Sequence, residues 1–219
     1  MSQATTDSPL DSSADAHDSA ASQANARKRP KPGERRVQIL QALASMLEQP
    51  GAERVTTAAL AAKLDVSEAA LYRHFASKAQ MFEGLIEFIE QSVLGLVNQI
   101  AEREANGNAQ ASKMVAMLLQ FGEKNPGMAR VMVGDALVFE NERLQQRMNL
   151  FFDKIESSLK QVLRKQLESS GHPTPTVTAQ ISASVLAAFC AGRLQRFARS
   201  GFKKLPTEGL EASLSLMLA

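Results

Sequence analysis

The chain has 219 residues but only one cysteine, one tyrosine and three histidines, and it has no tryptophan. A lone Cys190 cannot close a disulfide within one chain, and it supplies neither a thiol zinc cluster nor a redox pair. A reducing, cytoplasmic setting is therefore expected. Cys190 sits in the apolar run ASVLAAFCAGRL and reads as core filler rather than as a nucleophile. No apolar run is expected to span a bilayer, and the N-terminus lacks the basic-then-apolar order of a signal peptide. The histidines are scattered: His17 in a polar opening stretch, His172 in a loop and His74 with no neighbouring His or Cys. That arrangement completes no triad or metal set, so an enzyme is not expected, nor a metal or other cofactor. A formal net charge of +2 is too small to argue nucleic-acid binding by itself.

What the chain does have is 44% hydrophobic residues, enough to bury a real core. Residues 1–33 are rich in Ser, Ala, Asp, Gln and Pro without apolar periodicity, so a disordered tail is expected. Its basic end carries Arg27, Lys28, Arg29 and Lys31, followed closely by Arg35 and Arg36. That run reads either as a solvated linker or as an arm that follows phosphates. Beyond it apolar residues recur at helical spacing. Val37, Leu40, Leu43 and Leu47, widened by Ile39 and Met46, predict a first helix that Pro50-Gly51 stops.

The next stretch, VTTAALAAKLDVSEAALYRHFASKAQM, reads as two short helices around a tight turn. Thr56 or Thr57 caps the first, with Leu60 and Leu64 facing inward; Asp65-Val66 turns the chain; Ser67 caps the second, EAALYRHF. Ser77 and Gln80 then form a capping box for a long helix buried through Met81, Phe82, Leu85, Ile86, Ile89, Val93, Val97 and Ile100. A helix-turn-helix of this kind presents the start of its second helix to a major groove. Small Ala69 and Ala70 permit close approach and can meet thymine methyls. Ser67, Thr56, Thr57, Tyr72, His74 and Lys78 can donate to phosphates, and Arg73 suits phosphate or base. Leu71 and Phe75 are expected to pack inward, leaving Tyr72 at the edge. Glu68 faces repulsion from phosphates unless it accepts from cytosine N4 or lies beside Arg73.

The rest of the chain also reads as helical. Segments KMVAMLLQFGEK, ARVMVGDALV, Asn141 to Glu168 and Val177 to Ser200 are separated by EREANGNAQ, Asn125-Pro126-Gly127 and SSGHPTPT, and a short apolar piece closes the chain. There is no alternating strand pattern, so the class is all-α. The expected division is a tail over 1–33, a helix-turn-helix domain over 34–80 and a helical body over 81–219. Around QISASVLAAFCAGRLQRF, Ala and Gly alternate with Val185, Leu186, Phe189 and Leu194, which permits close helix approach. Together with part of the Asn141 to Glu168 helix, this predicts an intermolecular four-helix bundle. Two-fold symmetry then sets two reading heads about one DNA turn, ~34 Å, or a related spacing apart on a palindromic site.

The pattern T-T, L-A, V-S, L-Y-R-H-F and S-K over residues 35–80 resembles the TetR family of dimeric DNA-binding proteins. It departs from that family at Asp65, where Gly is frequent, and at Glu68-Ala69, where Gly-Thr is frequent. The segments SEAALYRHFASKAQMFEGLIEFIEQS, FGEKNPGMARVMVGDALVFENERLQQRMNLFFDKIE and GRLQRFARSGFKKLPTEG narrow the resemblance to the nucleoid occlusion branch of the family. That resemblance implies a dimer on palindromic chromosomal DNA that antagonises assembly of the division protein FtsZ through the FtsZ C-terminal tail. The positions it carries over for that contact are Phe82, Met117, Lys124 and Asn125, with Lys124 in place of a common Arg and Met117 in place of a common Leu. The alternative is a TetR-type repressor released by a small ligand. One Tyr and no Trp argue against an aromatic pocket, although ten Phe and nine Met can line an apolar one.

Overall fold

The computed structural model describes residues 33–49 and 54–218, and every regular element among them is helical. Three helices form the head: α1 (Glu34–Leu47), α2 (Thr57–Lys63) and α3 (Glu68–Tyr72). The body contains α4 (Lys78–Arg103), α5 (Gly107–Lys124), α6 (Pro126–Met132), a 3-10 turn at Asp135–Leu137, α7 (Glu142–Ser169), α8 (Pro175–Arg199) and α9 (Leu210–Met217). The expected tail up to residue 32, with Arg27, Lys28, Arg29 and Lys31, lies outside the described residues, as does the Pro50-Gly51 stop; Arg35 and Arg36 belong to α1.

Five of the described helices, α2 to α5 and α7, begin where a side chain takes a free amide. Thr56, rather than Thr57, caps α2 by accepting from Ala59 N at 3.1 Å, Ser67 accepts from Ala70 N at 3.3 Å, and Ser77 accepts from Gln80 N at 3.2 Å. The reciprocal half of the box at Ser77 is shifted by one residue, since Gln80 accepts from Ala76 N at 2.8 Å. Asn106 caps α5, which therefore starts at Gly107, six residues before the expected KMVAMLLQFGEK. Buried Gln110 explains the early start: its amide donates to the carbonyls of Ala101 and Glu104 at 2.8 and 2.6 Å, so it closes the end of α4 from within α5.

One apolar cluster runs from Ile39 in α1 to Leu214 in α9. α7 and α8 pack along each other, α5 lies against both, and α4 rests on α5 and α7. On α1 the ridge is Ile39, Leu43 and Leu47, one turn apart; Val37, expected inward, lies off that ridge and is 53% exposed. α6 meets α1 at close range. A Cβ on Gly127 would stand 2.2 Å from the Ala44 carbonyl oxygen, so only glycine allows this approach. Arg130 of α6, itself buried, donates to Asp135 Oδ2 at 2.7 Å and to the Leu47 carbonyl at 3.3 Å. α4 crosses residues 80 and 81, so head and body share a continuous helix.

By length and composition alone α8 is apolar enough to cross a membrane, which does not overturn the expectation that no run spans a bilayer. Its inner face, Ala179, Ala183, Leu186, Cys190, Leu194 and Phe197, is buried in the core instead. Burial pushes the Cys190 thiol up to about 12, which keeps it protonated and inert.

Candidate nucleic-acid interface

The turn between α2 and α3 is made by Asp65, whose φ of 54° is left-handed. Asp tolerates that conformation because its short polar side chain can bond locally. The amides of Asp65 and Val66 donate to the carbonyls of Ala62 and Ala61, both at 3.1 Å, and close the turn. Leu60, Leu71 and Phe75 are buried beneath it, while Tyr72 is 46% exposed, as the division of labour within LYRHF predicts. α3 stops at Tyr72, so Arg73, His74 and Phe75 lie past the helix rather than within it.

The residues expected at DNA differ in exposure. Thr56, Ser67, Glu68, Ala69, Tyr72 and Arg73 are exposed, whereas Thr57, Ala70, His74 and Lys78 are half-buried. Glu68 is held by Thr57, whose hydroxyl donates to Glu68 Oε2 at 2.5 Å across the two helices. Its partner within the protein is therefore α2, a third possibility beside cytosine N4 and Arg73, and its place in the first turn of α3 suits a carboxylate. Lys78 is paired with Glu140, and its ammonium lies 5.7 Å from the centre of the Phe82 ring. Arg36, expected only as part of the basic run, has a further role. This residue donates to the His74 carbonyl and stacks its guanidinium over Phe75, joining α1 to the end of α3.

A second exposed surface lies between α4 and α5. Phe88 approaches Phe121 with ring centroids 6.4 Å apart, and further along Leu96, Ile100 and Arg103 line a groove with Lys113, so the two helices run antiparallel. Met117 falls between Lys113 and Phe121 on α5 and is half-buried. Lys124 is exposed at the helix end, and Asn125 caps it by donating to the Phe121 carbonyl at 2.8 Å. Lys113 also holds Glu104 at 2.6 Å, and this bond lowers the Glu104 pKa. Phe82 must be removed from this surface. It is 1% exposed and belongs to the core, because it shares the inward stripe of Met81, Leu85 and Ile86. Phe88, off that stripe and 48% exposed, is the aromatic that α4 presents beside Phe121. Its signal was legible, since an outward aromatic has no place on the buried face of an amphipathic helix.

A capped helix-turn-helix on an all-helical body defines a TetR-type DNA-binding protein. Residues 39–85 match the bacterial regulatory proteins of the tetR family, and residues 108–219 match the SlmA-like, tetracyclin repressor-like C-terminal domain. The chain is 49% identical over 183 residues to the nucleoid occlusion factor SlmA of Idiomarina loihiensis, a match that covers 84% of the chain and 93% of the relative. It is also 49% identical over 186 residues to the SlmA of Salmonella paratyphi B, with the same coverage. The chain belongs to the SlmA family of nucleoid occlusion factors. Its fold is shared more widely. The fatty acid degradation regulator FadR of Bacillus halodurans superposes with a TM-score of 0.70 at 13% identity, covering 87% of this chain and 97% of that one. The MbdR regulator of Azoarcus sp. CIB gives 0.69 at 18%, covering 83% and 96%.

Proposed function

We propose that the chain is a nucleoid occlusion factor that binds palindromic duplex DNA as a homodimer and, when on DNA, prevents FtsZ from assembling over the chromosome. The observation that carries this reading is the extent of the likeness: 49% identity continues through the body, not only the reading head. On DNA, Tyr72, His74, Ser67 and Thr56 grip phosphates, Ala69 and Ala70 admit the base edges, and Arg73 serves either, while the Thr57 hydroxyl is engaged by Glu68.

Two surfaces support the partner assignments. On α8, Val177, Ile181 and Val185 are exposed at one-turn intervals, a stripe of the kind that a second copy covers. Between α4 and α5, Phe88, Met117 and Phe121 beside Lys124 and Asn125 offer apolar contact with a cation at its end. That combination suits a short peptide bearing both apolar and acidic groups, such as the FtsZ C-terminal tail. The protein then acts in the cytoplasm at the nucleoid, by occupying a partner rather than by catalysis.

The test is fluorescence anisotropy of an FtsZ C-terminal tail peptide titrated with the protein, with and without a palindrome that it binds. Binding that Lys124→Glu abolishes, while DNA affinity stays intact, supports the reading. No peptide binding where DNA is saturated returns the protein to the ligand-released repressor class.

A further inference from the structure

Lys78 breaks a local rule. It is the first residue of a 26-residue helix, where the aligned peptide dipoles repel a cation and favour an anion. A lysine in that place needs a negative partner beside it. In the free protein the partner is Glu140, one residue before the Asn141 cap of α7. The Lys78 side chain keeps 25% of its exposure and the Glu140 side chain only 9%. The more buried member of the pair is thus the carboxylate. A buried carboxylate that loses its cation is costly, whereas a lysine nearer to solvent that changes partner is not.

The helix that follows Glu140 is held in place by ion pairs of its own. Arg143 pairs with Glu83 at 2.7 Å and Arg147 with Glu90 at 2.6 Å, so three ion pairs stitch α4 to the start of α7, the Lys78 pair with its sign opposite to the other two. Two of them lie beyond the Lys78 pair on one side and fix the register of α7 on α4, so a change at Lys78 falls on the turn before α7 rather than on the helix. We infer that Glu140 is an internal stand-in for a DNA phosphate. It competes for Lys78, sets an upper bound on DNA affinity and makes the Val138–Glu140 turn responsive to DNA. When a phosphate takes Lys78, Glu140 is left unpaired, and the turn that carries the exposed Val138 and Phe139 is the part able to rearrange.

The inference rests on the DNA-binding reading and is tested with a mixed-sequence duplex of about 30 base pairs, because a phosphate contact is independent of sequence. Affinity is measured for the wild type, Glu140→Gln, Lys78→Gln and the double variant, with thermal melting as a check on folding. Glu140→Gln is expected to tighten binding by about three- to tenfold, and that gain should vanish in the Lys78→Gln background. Glu140→Asp, which keeps the charge but shortens its reach, should give a smaller gain in the same direction. Weaker or unchanged binding by Glu140→Gln overturns the inference, and so does an equal gain with Lys78 already removed, since Glu140 would then act only as a general negative charge. A wild type that ignores duplex DNA overturns the DNA-binding reading itself, a result distinct from either.

Discussion

Arg36 of α1 donates to the carbonyl of His74 and lays its guanidinium 4.1 Å from the centre of the Phe75 ring. This single side chain links the first helix to the residues that end the recognition helix. α3 is only five residues long and has too few turns to hold itself. Its orientation therefore depends on what its two ends are tied to: Thr57 through Glu68 at the start and Arg36 at the finish.

Arg36→Ala should lower stability by about 1 kcal/mol and weaken DNA binding by more than the loss of one surface charge explains. Arg36→Lys retains charge but not the planar stack, so it should restore the salt dependence of binding without restoring full affinity. Thermal melting read beside DNA titrations at two salt concentrations separates these effects.

Glu68 places a negative charge on the surface proposed to meet phosphates. Glu68→Gln keeps an acceptor for the Thr57 hydroxyl and removes the repulsion, so binding to non-specific duplex should tighten several-fold. Thr57→Val removes the restraint but leaves the charge, and should weaken it. Filter binding on unrelated sequences reads both.

The aromatic pair on α4 separates core from surface. Phe82→Ala should cost about 3–5 kcal/mol of stability through the cavity it leaves. Phe88→Ala should alter stability by less than about 1 kcal/mol while abolishing capture of the FtsZ tail peptide. Denaturant unfolding and peptide anisotropy on the same two variants give the comparison.

Charge placed on the outer stripe of α8 should separate the proposed dimer. Ile181→Glu or Val185→Arg should shift sedimentation toward the monomer and reduce affinity for a palindrome far more than for a half-site.

Cys190 gives a pH signature. Its thiol is held up to about 12 in the fold, against an ordinary 9.0, so the unfolded chain loses the proton first as pH rises. The associated stability is complete below pH 9 and falls through the interval up to 12, at about 1.4 kcal/mol per pH unit. Unfolding of Cys190→Ala should lack that component, and the difference between the two chains across this range measures it.

The periodicity of the chain determined a great deal. The inward stripe of α4, the break at Asn125-Pro126 and the caps at Ser67 and Ser77 were all readable, because helix periodicity and capping are local properties. Where α3 ends was not readable. LYRHF keeps the helical pattern, yet Arg36 takes the His74 carbonyl, and this contact crosses 38 residues. The start of α5 was hidden for a similar reason: the polar run ANGNAQ looks like loop until Gln110 is seen closing α4.

Residue types and spacing alone determined that the chain is all-helical, that it carries a helix-turn-helix and that its body supplies apolar faces for packing. Only the tertiary structure decided which charges are paired within the protein and which aromatic is left exposed. Lys78 and Glu140 lie 62 positions apart, and Phe82 and Phe88 are alike in sequence but opposite in burial. A local pattern specifies a helix face, but the neighbour covering that face is fixed only when the distant parts of the chain have packed.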